Sequence, residues 1–192
     1  MRVRLAFDLV CPYSYLESFA ADAAEDNGLL EIEWLPFELR PPGRPLLEPR
    51  GDHLRVDWTR NVYRRALSLG IEIHLPRTQP RSTLPLSACL WAAEQGRGRE
   101  LRRAFYAAFF CEGEDIAAES QIMLAAHRAG LDPAGAIEAA YGRTAQLAEL
   151  RRELEAAGLH GVPGLLTEDG RSHWGMTGIE RLLAGEPLIP RD

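Results

Sequence analysis

Cys11 is the side chain in this sequence best placed for chemistry. It stands in Phe7-Asp8-Leu9-Val10-Cys11-Pro12-Tyr13-Ser14-Tyr15-Leu16, between an alternating apolar segment and a run with helical character. Pro12 fits the first helical position, where a missing N–H costs nothing. A helix N-terminus offers free N–H groups and partial positive charge, and both stabilise an anion. The thiolate is the reactive form of cysteine, so a sulfur at this point is expected to have a lowered pKa and to act as a nucleophile. Ser14 can donate a hydrogen bond to that thiolate, or bond the helix backbone as a first-turn serine. The competing reading of Cys11 is packing, since a lone cysteine is usually a small buried hydrophobe.

Two more cysteines are present. Cys89, inside Leu86-Ser87-Ala88-Cys89-Leu90-Trp91, reads as a core residue. Cys111 follows Phe109-Phe110 at a helix end and reads as non-catalytic, but it is the one internal thiol that could resolve a mixed disulfide on Cys11. Three widely spaced cysteines give no disulfide framework and fit a reducing compartment. The five histidines are scattered, so no zinc-ligand spacing is formed. A further feature is Gly161-Val162-Pro163-Gly164. Cis bonds are almost confined to X-Pro, so Val162-Pro163 is either a cis bond that presents the Val162 backbone or an ordinary trans turn.

The elements that must position these residues can be read from periodicity. Val3, Leu5 and Phe7 alternate with Arg2 and Arg4 and predict a strand over 2–8. A helix follows from Tyr13 to Asp26, ending at Asn27-Gly28. Leu30, Ile32 and Trp34 alternate with Glu31 and Glu33 in a second strand, and a right-handed crossover makes the two parallel. After a proline-rich connection the chain reads as helical: 52–69, 84–95, 100–110, 120–129, and a long helix opened by Pro133 with a Leu147, Leu150, Leu154 stripe. Gly158 is expected to cap it. Leu165-Leu166-Thr167 and Ser172-His173-Trp174 flank the turn Glu168-Asp169-Gly170-Arg171 as a hairpin. Thr177 is expected to cap a last helix through Leu183.

The chain has 192 residues, 46% of them hydrophobic, enough for a sizeable core without disulfides. Net charge is −6 with both signs interspersed, which gives no basic footprint for nucleic acid. No segment has the length of a membrane span. Asp8 interrupts the N-terminal apolar run and no small-residue cleavage site follows, so a cytoplasmic location is expected. Walker-type and Gly-x-Ser-x-Gly motifs are missing, and no isolated acidic pair suggests acid–base catalysis.

Taken in order, these segments resemble the DsbA-like branch of the thioredoxin superfamily. Within it they are similar to FrnE-type oxidoreductases, kappa-class glutathione transferases and hydroxychromene carboxylate isomerases. Phe7-Asp8 with Cys11-Pro12-Tyr13-Ser14-Tyr15-Leu16 carries the likeness, as do Trp34-Leu35-Pro36-Phe37-Glu38-Leu39-Arg40-Pro41, Phe105-Tyr106-Ala107-Ala108-Phe109-Phe110 with Gly113, Asp115 and Ile116, and Gly161-Val162-Pro163. The resemblance implies an α/β fold, a thioredoxin-like core (1–40 and 159–192) with an all-helical insertion (41–158). It also implies Cys11 at the nucleophile position, a cis Pro163 and a homodimer.

The sequence departs from the resemblance in two places. Ser14 stands where the dithiol oxidoreductases have their second cysteine, so the site has one thiol and would stop at a mixed disulfide unless an outside thiol such as glutathione resolves it. Trp174-Gly175-Met176-Thr177-Gly178 lacks the acidic residue with which the glutathione-binding relatives hold the γ-glutamyl end. The leading expectation is a monothiol thiol–disulfide oxidoreductase. In it Cys11 is nucleophile, Ser14 its hydrogen-bond donor, and Pro12, Tyr13, Val162 and Pro163 contact a protein or glutathione disulfide. No tightly bound cofactor is expected, with glutathione as co-substrate, and no metal, nucleic-acid or membrane partner. The alternatives are a glutathione-dependent transferase or isomerase, with Tyr13, Trp174 and Phe110 lining an apolar cleft, and a non-catalytic binding or chaperone-like module.

Overall fold

In β1 (Arg2–Phe7), Val3 and Leu5 point inward and Arg2 and Arg4 face solvent, as a period of two requires. The same alternation forms β2 (Glu31–Pro36), and α1 (Pro12–Asp26) crosses between the two strands, which pair in parallel. The structure, a computed structural model, describes residues 1–49 and 51–190. β3 (Gly164–Thr167) joins the other edge of β1 antiparallel, with Ala6 opposite Gly164, and β4 (Ser172–Trp174) pairs with β3, giving the order β2-β1-β3-β4. The sheet therefore brings the segment before Cys11 beside the segment after Pro163. Gly164 is needed at that crossing: a Cβ there would lie 2.8 Å from the Gly161 carbonyl oxygen and 3.1 Å from the Leu159 side chain.

Among the described residues, every regular element between β2 and β3 is helical. These are α2 (Asp52–Asp57), α3 (Tyr63–Leu69), α4 (Thr83–Glu94), α5 (Gly98–Tyr106), α6 (Glu119–Arg128), α7 (Pro133–Gly142) and α8 (Thr144–Ala156), with wide π turns at Trp58–Val62 and Ala107–Cys111. After β4 comes α9 (Gly178–Ala184). The largest apolar core joins Phe7, Leu9, Tyr15 and Leu16 to Trp58, Val62, Phe105, Phe109 and Phe110, so helices and sheet share one interior. Arg102 is buried in this interior with its guanidinium 3.3 Å from the centre of the Trp34 ring, and it is paired with Asp22 at 2.5 Å.

Three expectations change. The helix over 52–69 is continuous but contains a wide π turn at Trp58–Val62, which turns both of those side chains inward. The long helix from Pro133 is two helices, α7 and α8. Gly142 disfavours helix, and Arg143, at φ −109°, breaks it. The bend lets the alanine face of α7 pack on α4 and α6 while Leu147 and Leu154 of α8 are buried. Thr177 precedes α9, but its side chain makes no capping bond and its φ is +75°. The cap comes from Glu17 of α1, whose carboxylate accepts from the N–H groups of Thr177 (2.8 Å) and Ile179 (2.9 Å).

Candidate active site at Cys11

β1 ends at Phe7, and Asp8-Leu9-Val10 turns the chain into α1. The Cys11 N–H donates to the Asp8 carbonyl (3.2 Å), and the Cys11 carbonyl accepts from Tyr15 N–H (3.1 Å) as the first helical bond. Cys11 is the N-cap in an extended conformation, with Pro12 next, so the free amides of the first turn face the sulfur. The Sγ–H donates to the Val162 carbonyl at 3.7 Å, and the Val162–Pro163 peptide is cis. Ser14 is buried, its hydroxyl accepts from Asp8 N–H at 3.5 Å, and it acts to lower the pKa of the Cys11 thiol.

These donors do not bring the thiol pKa below its ordinary value. Cys11 is only 6% exposed, and burial pushes its thiol up to about 11. The Ser14 hydroxyl and the Ser14 and Tyr13 amides pull the other way, and the nearby Asp8 carboxyl adds to the rise. The expectation of a lowered pKa took the helix N-terminus into account and not the loss of water, which penalises the charged form more strongly here.

Asp8 is fully buried beneath the site. One of its oxygens accepts from Leu39 N–H at 2.8 Å and the other from Val10 N–H at 3.3 Å. Burial raises its carboxyl to about 6, against the pull of those amides and of the Ser82 hydroxyl. The sequence offered a signal, Asp8 three residues before Cys11, but one polar residue after a strand does not by itself reveal complete burial.

Tyr13 leaves α1 toward the helical segment. Its hydroxyl donates to Asp57 Oδ1 (2.8 Å), which also accepts from Asn61 Nδ2 (2.7 Å). A cavity of about 230 Å³ opens there, with Cys11, Pro12 and Tyr13 in its wall. Of the aromatic residues expected in an apolar cleft, Tyr13 alone lines it. Phe110 is in the core, stacked on Tyr15 at 5.1 Å, and Trp174, on β4 and 44% exposed, does not line the cavity. Trp58, Leu46, Leu47 and Leu54 line the cavity instead, and sequence reasoning missed them because their convergence depends on how α2 and the 37–47 segment fold back on α1.

All three cysteines are free thiols. Cys89 is buried, and burial pushes it up to about 12. Cys111 contacts the Tyr15 hydroxyl (3.5 Å) and the Glu72 carbonyl (3.7 Å), and it does not line the cavity at Cys11. Among the described residues, no group of three or more His, Cys, Asp or Glu side chains could hold a metal ion, and no helix is long and apolar enough to cross a membrane.

A cysteine at the N-cap of the first helix, beside a cis-proline loop at one end of a four-stranded sheet, defines a thioredoxin-like fold with helices inserted between its two sheet-forming halves. The chain belongs to the DSBA-like thioredoxin domain family, which it matches over residues 2–184. It is 29% identical over 175 residues to the uncharacterized protein YwbO of Bacillus subtilis, covering 88% of each chain. Among solved structures it shares its fold with a probable DsbA oxidoreductase, SCO1869, from Streptomyces coelicolor. The TM-score is 0.76 at 21% identity, covering 100% of this chain and 93% of the other. A 2-hydroxychromene-2-carboxylate isomerase has a TM-score of 0.76 at 23% identity, covering 96% and 92%. The cytosolic disulfide reductase DsbM of Pseudomonas aeruginosa, solved with GSH, has a TM-score of 0.72 at 22% identity, covering 95% and 92%.

Proposed function

We propose that the protein catalyses thiol–disulfide exchange through Cys11 alone. The observation that carries this reading is Cys11 at the N-cap position of α1, whose sulfur bonds the Val162 carbonyl at 3.7 Å and opens on a cavity. Cys11 loses its proton to solvent, its sulfur bonds one sulfur of the substrate disulfide, and the other half leaves as a thiolate that takes up a proton. The Ser14 hydroxyl and the first-turn amides hold the negative charge on Cys11 before attack. The Val162 carbonyl, next to the cis Pro163, bonds the attacking sulfur, and Pro12 and Tyr13 form the wall of the cavity; Val162 and Pro163 do not line it. Ser14 cannot resolve the mixed disulfide, so an outside thiol, with glutathione as the candidate co-substrate, attacks it. Cys11 returns to the thiol, and the retained half leaves as a disulfide with the attacking thiol.

Hydroxyethyl disulfide and reduced glutathione test this. Mass spectrometry is expected to find the hydroxyethylthio adduct on Cys11, and chromatography to find mercaptoethanol released in many turnovers per protein. Cys11→Ser should abolish turnover, and Cys111→Ser should retain it. An unmodified Cys11, or turnover that survives Cys11→Ser, would remove the reading.

A further inference from the structure

The cavity beside Cys11 has a chemical character of its own. Val10, Leu39, Leu46, Leu47, Leu54 and Trp58 form the apolar part of its wall, and Gln79 and Ser82 are its uncharged polar side chains besides Tyr13. Its charged side chains are Asp57 and Arg40. Arg40 Nη1 donates to the Pro45 carbonyl (3.1 Å), while Asp57 holds Tyr13 and Asn61. A second carboxyl, Asp8, is buried directly behind, bonded to the N–H of the lining residue Leu39 and to Ser82, which also lines the cavity. A ligand entering here leaves water for an apolar wall with two carboxyl groups near it and one arginine. Burying an anionic group in such a place is costly, whereas each buried methylene is favourable.

The cavity also discriminates by size. Cys11 is recessed, and the Val162 carbonyl is already bonded to its thiol. A polypeptide that reached the sulfur through this opening would bring backbone N–H and C=O groups against leucine and tryptophan, with few partners for them.

Resting on the exchange reading above, we propose that the cavity takes the apolar half of a neutral, low-molecular-weight disulfide and delivers its sulfur to Cys11. Cys11 keeps that half as the mixed disulfide, and the other half leaves as a thiol. The outside thiol then attacks from solvent and departs joined to the apolar half. Leu46, 40% exposed, and Leu47 form the rim and set how much apolar surface the ligand can bury. Asp57 is the residue that selects against anions.

Two disulfides of similar length separate this from a general exchange site: dipropyl disulfide, which is neutral, and dithiodipropionate, which carries two carboxylates. Rates of Cys11 modification are read by mass spectrometry and divided by each reagent's rate with free cysteine. Dipropyl disulfide is expected to be favoured by about tenfold or more, because its terminal methyl is buried where the other reagent must desolvate a carboxylate. Leu47→Trp, which fills the cavity, should bring the ratio close to one. Leu46→Trp, at the exposed rim, should lower it without disturbing the core. Asp57→Asn keeps an acceptor for Tyr13 and should raise the dithiodipropionate rate severalfold. Equal normalised rates in the unaltered protein, or a preference unchanged by both tryptophans, would overturn the proposal. If Cys11 reacts with hydroxyethyl disulfide yet shows no preference, only this inference falls. If Cys11 reacts with none of the three reagents, the exchange reading falls with it.

Discussion

Helices α1 and α9 both begin inside the protein, and neither is capped by the side chain of its own N-cap residue. At α9 a remote carboxylate closes the end: Glu17, itself buried, takes the Thr177 and Ile179 N–H groups. At α1 the end is left to the Cys11 sulfur, and a cavity opens beside it. Burial raises the pKa of both groups, Glu17 and Cys11, although backbone amides act in the opposite direction at each. The two ends use the same donors, and access separates them. The carboxylate is sealed as a structural cap, while the sulfur keeps one open side through which a second reactant can arrive.

The comparison is tested most strongly by pH. If burial dominates at α1, alkylation of Cys11 by iodoacetamide should accelerate about tenfold per pH unit from neutrality up to about pH 11, where it levels off. A plateau near pH 7 would mean that the helix N-terminus outweighs burial. At α9, Glu17→Ala leaves two inward-facing N–H groups without their acceptor and is expected to cost about 3 kcal/mol in urea unfolding. Glu17→Gln, which keeps one acceptor oxygen, should cost less. Equal stability of Glu17→Ala and the unaltered protein would show that water caps α9 equally well.

Asp8 sharpens the comparison because it is a buried acid on the α1 side. Its carboxyl rises from 3.8 to about 6 on folding. The folded state therefore holds the proton more tightly than the unfolded one. The corresponding stability is fully present below pH 4 and is lost as pH rises through 6, an amount of about 3 kcal/mol. Asp8→Asn should remove this part of the slope between pH 4 and 6 in denaturant titrations, and should lower the Cys11 pKa, since the carboxylate opposes the thiolate. The smallest expected effect is at Ser14. Ser14→Ala deletes the hydroxyl that lowers the thiol pKa, and Cys11 alkylation at pH 7 should slow by up to about tenfold. A faster reaction would mean that the Ser14 hydroxyl is engaged elsewhere and does not support the sulfur.

Much of this architecture was legible in the residues alone. The alternation of Val3, Leu5 and Phe7, the helix start at Pro12 and the hairpin at Glu168–Arg171 follow from local periods and turn chemistry, which act within a few residues. Pro133 marked a helix start correctly, but its end at Gly142 was missed because apolar residues continue on both sides of the break. Cys11, Ser14, Val162 and Pro163 could be picked out as candidates by type and position, and the sheet brings the two segments together through Ala6 opposite Gly164.

By itself, then, the sequence determined the order of elements, the single thiol at the front of α1 and the serine where a second thiol would stand. Tertiary structure decided the electrostatics and the access. Whether Cys11 is held as a thiol or a thiolate depends on how much water reaches it, and water is excluded by Phe37, Leu159, Val162, Leu166 and their neighbours from distant parts of the chain. Thr177 has the side chain of a good cap, yet Glu17, 160 positions earlier, fills that role. Desolvation and capping by a remote group are sums over neighbours in space, and no local pattern in a chain encodes such a sum.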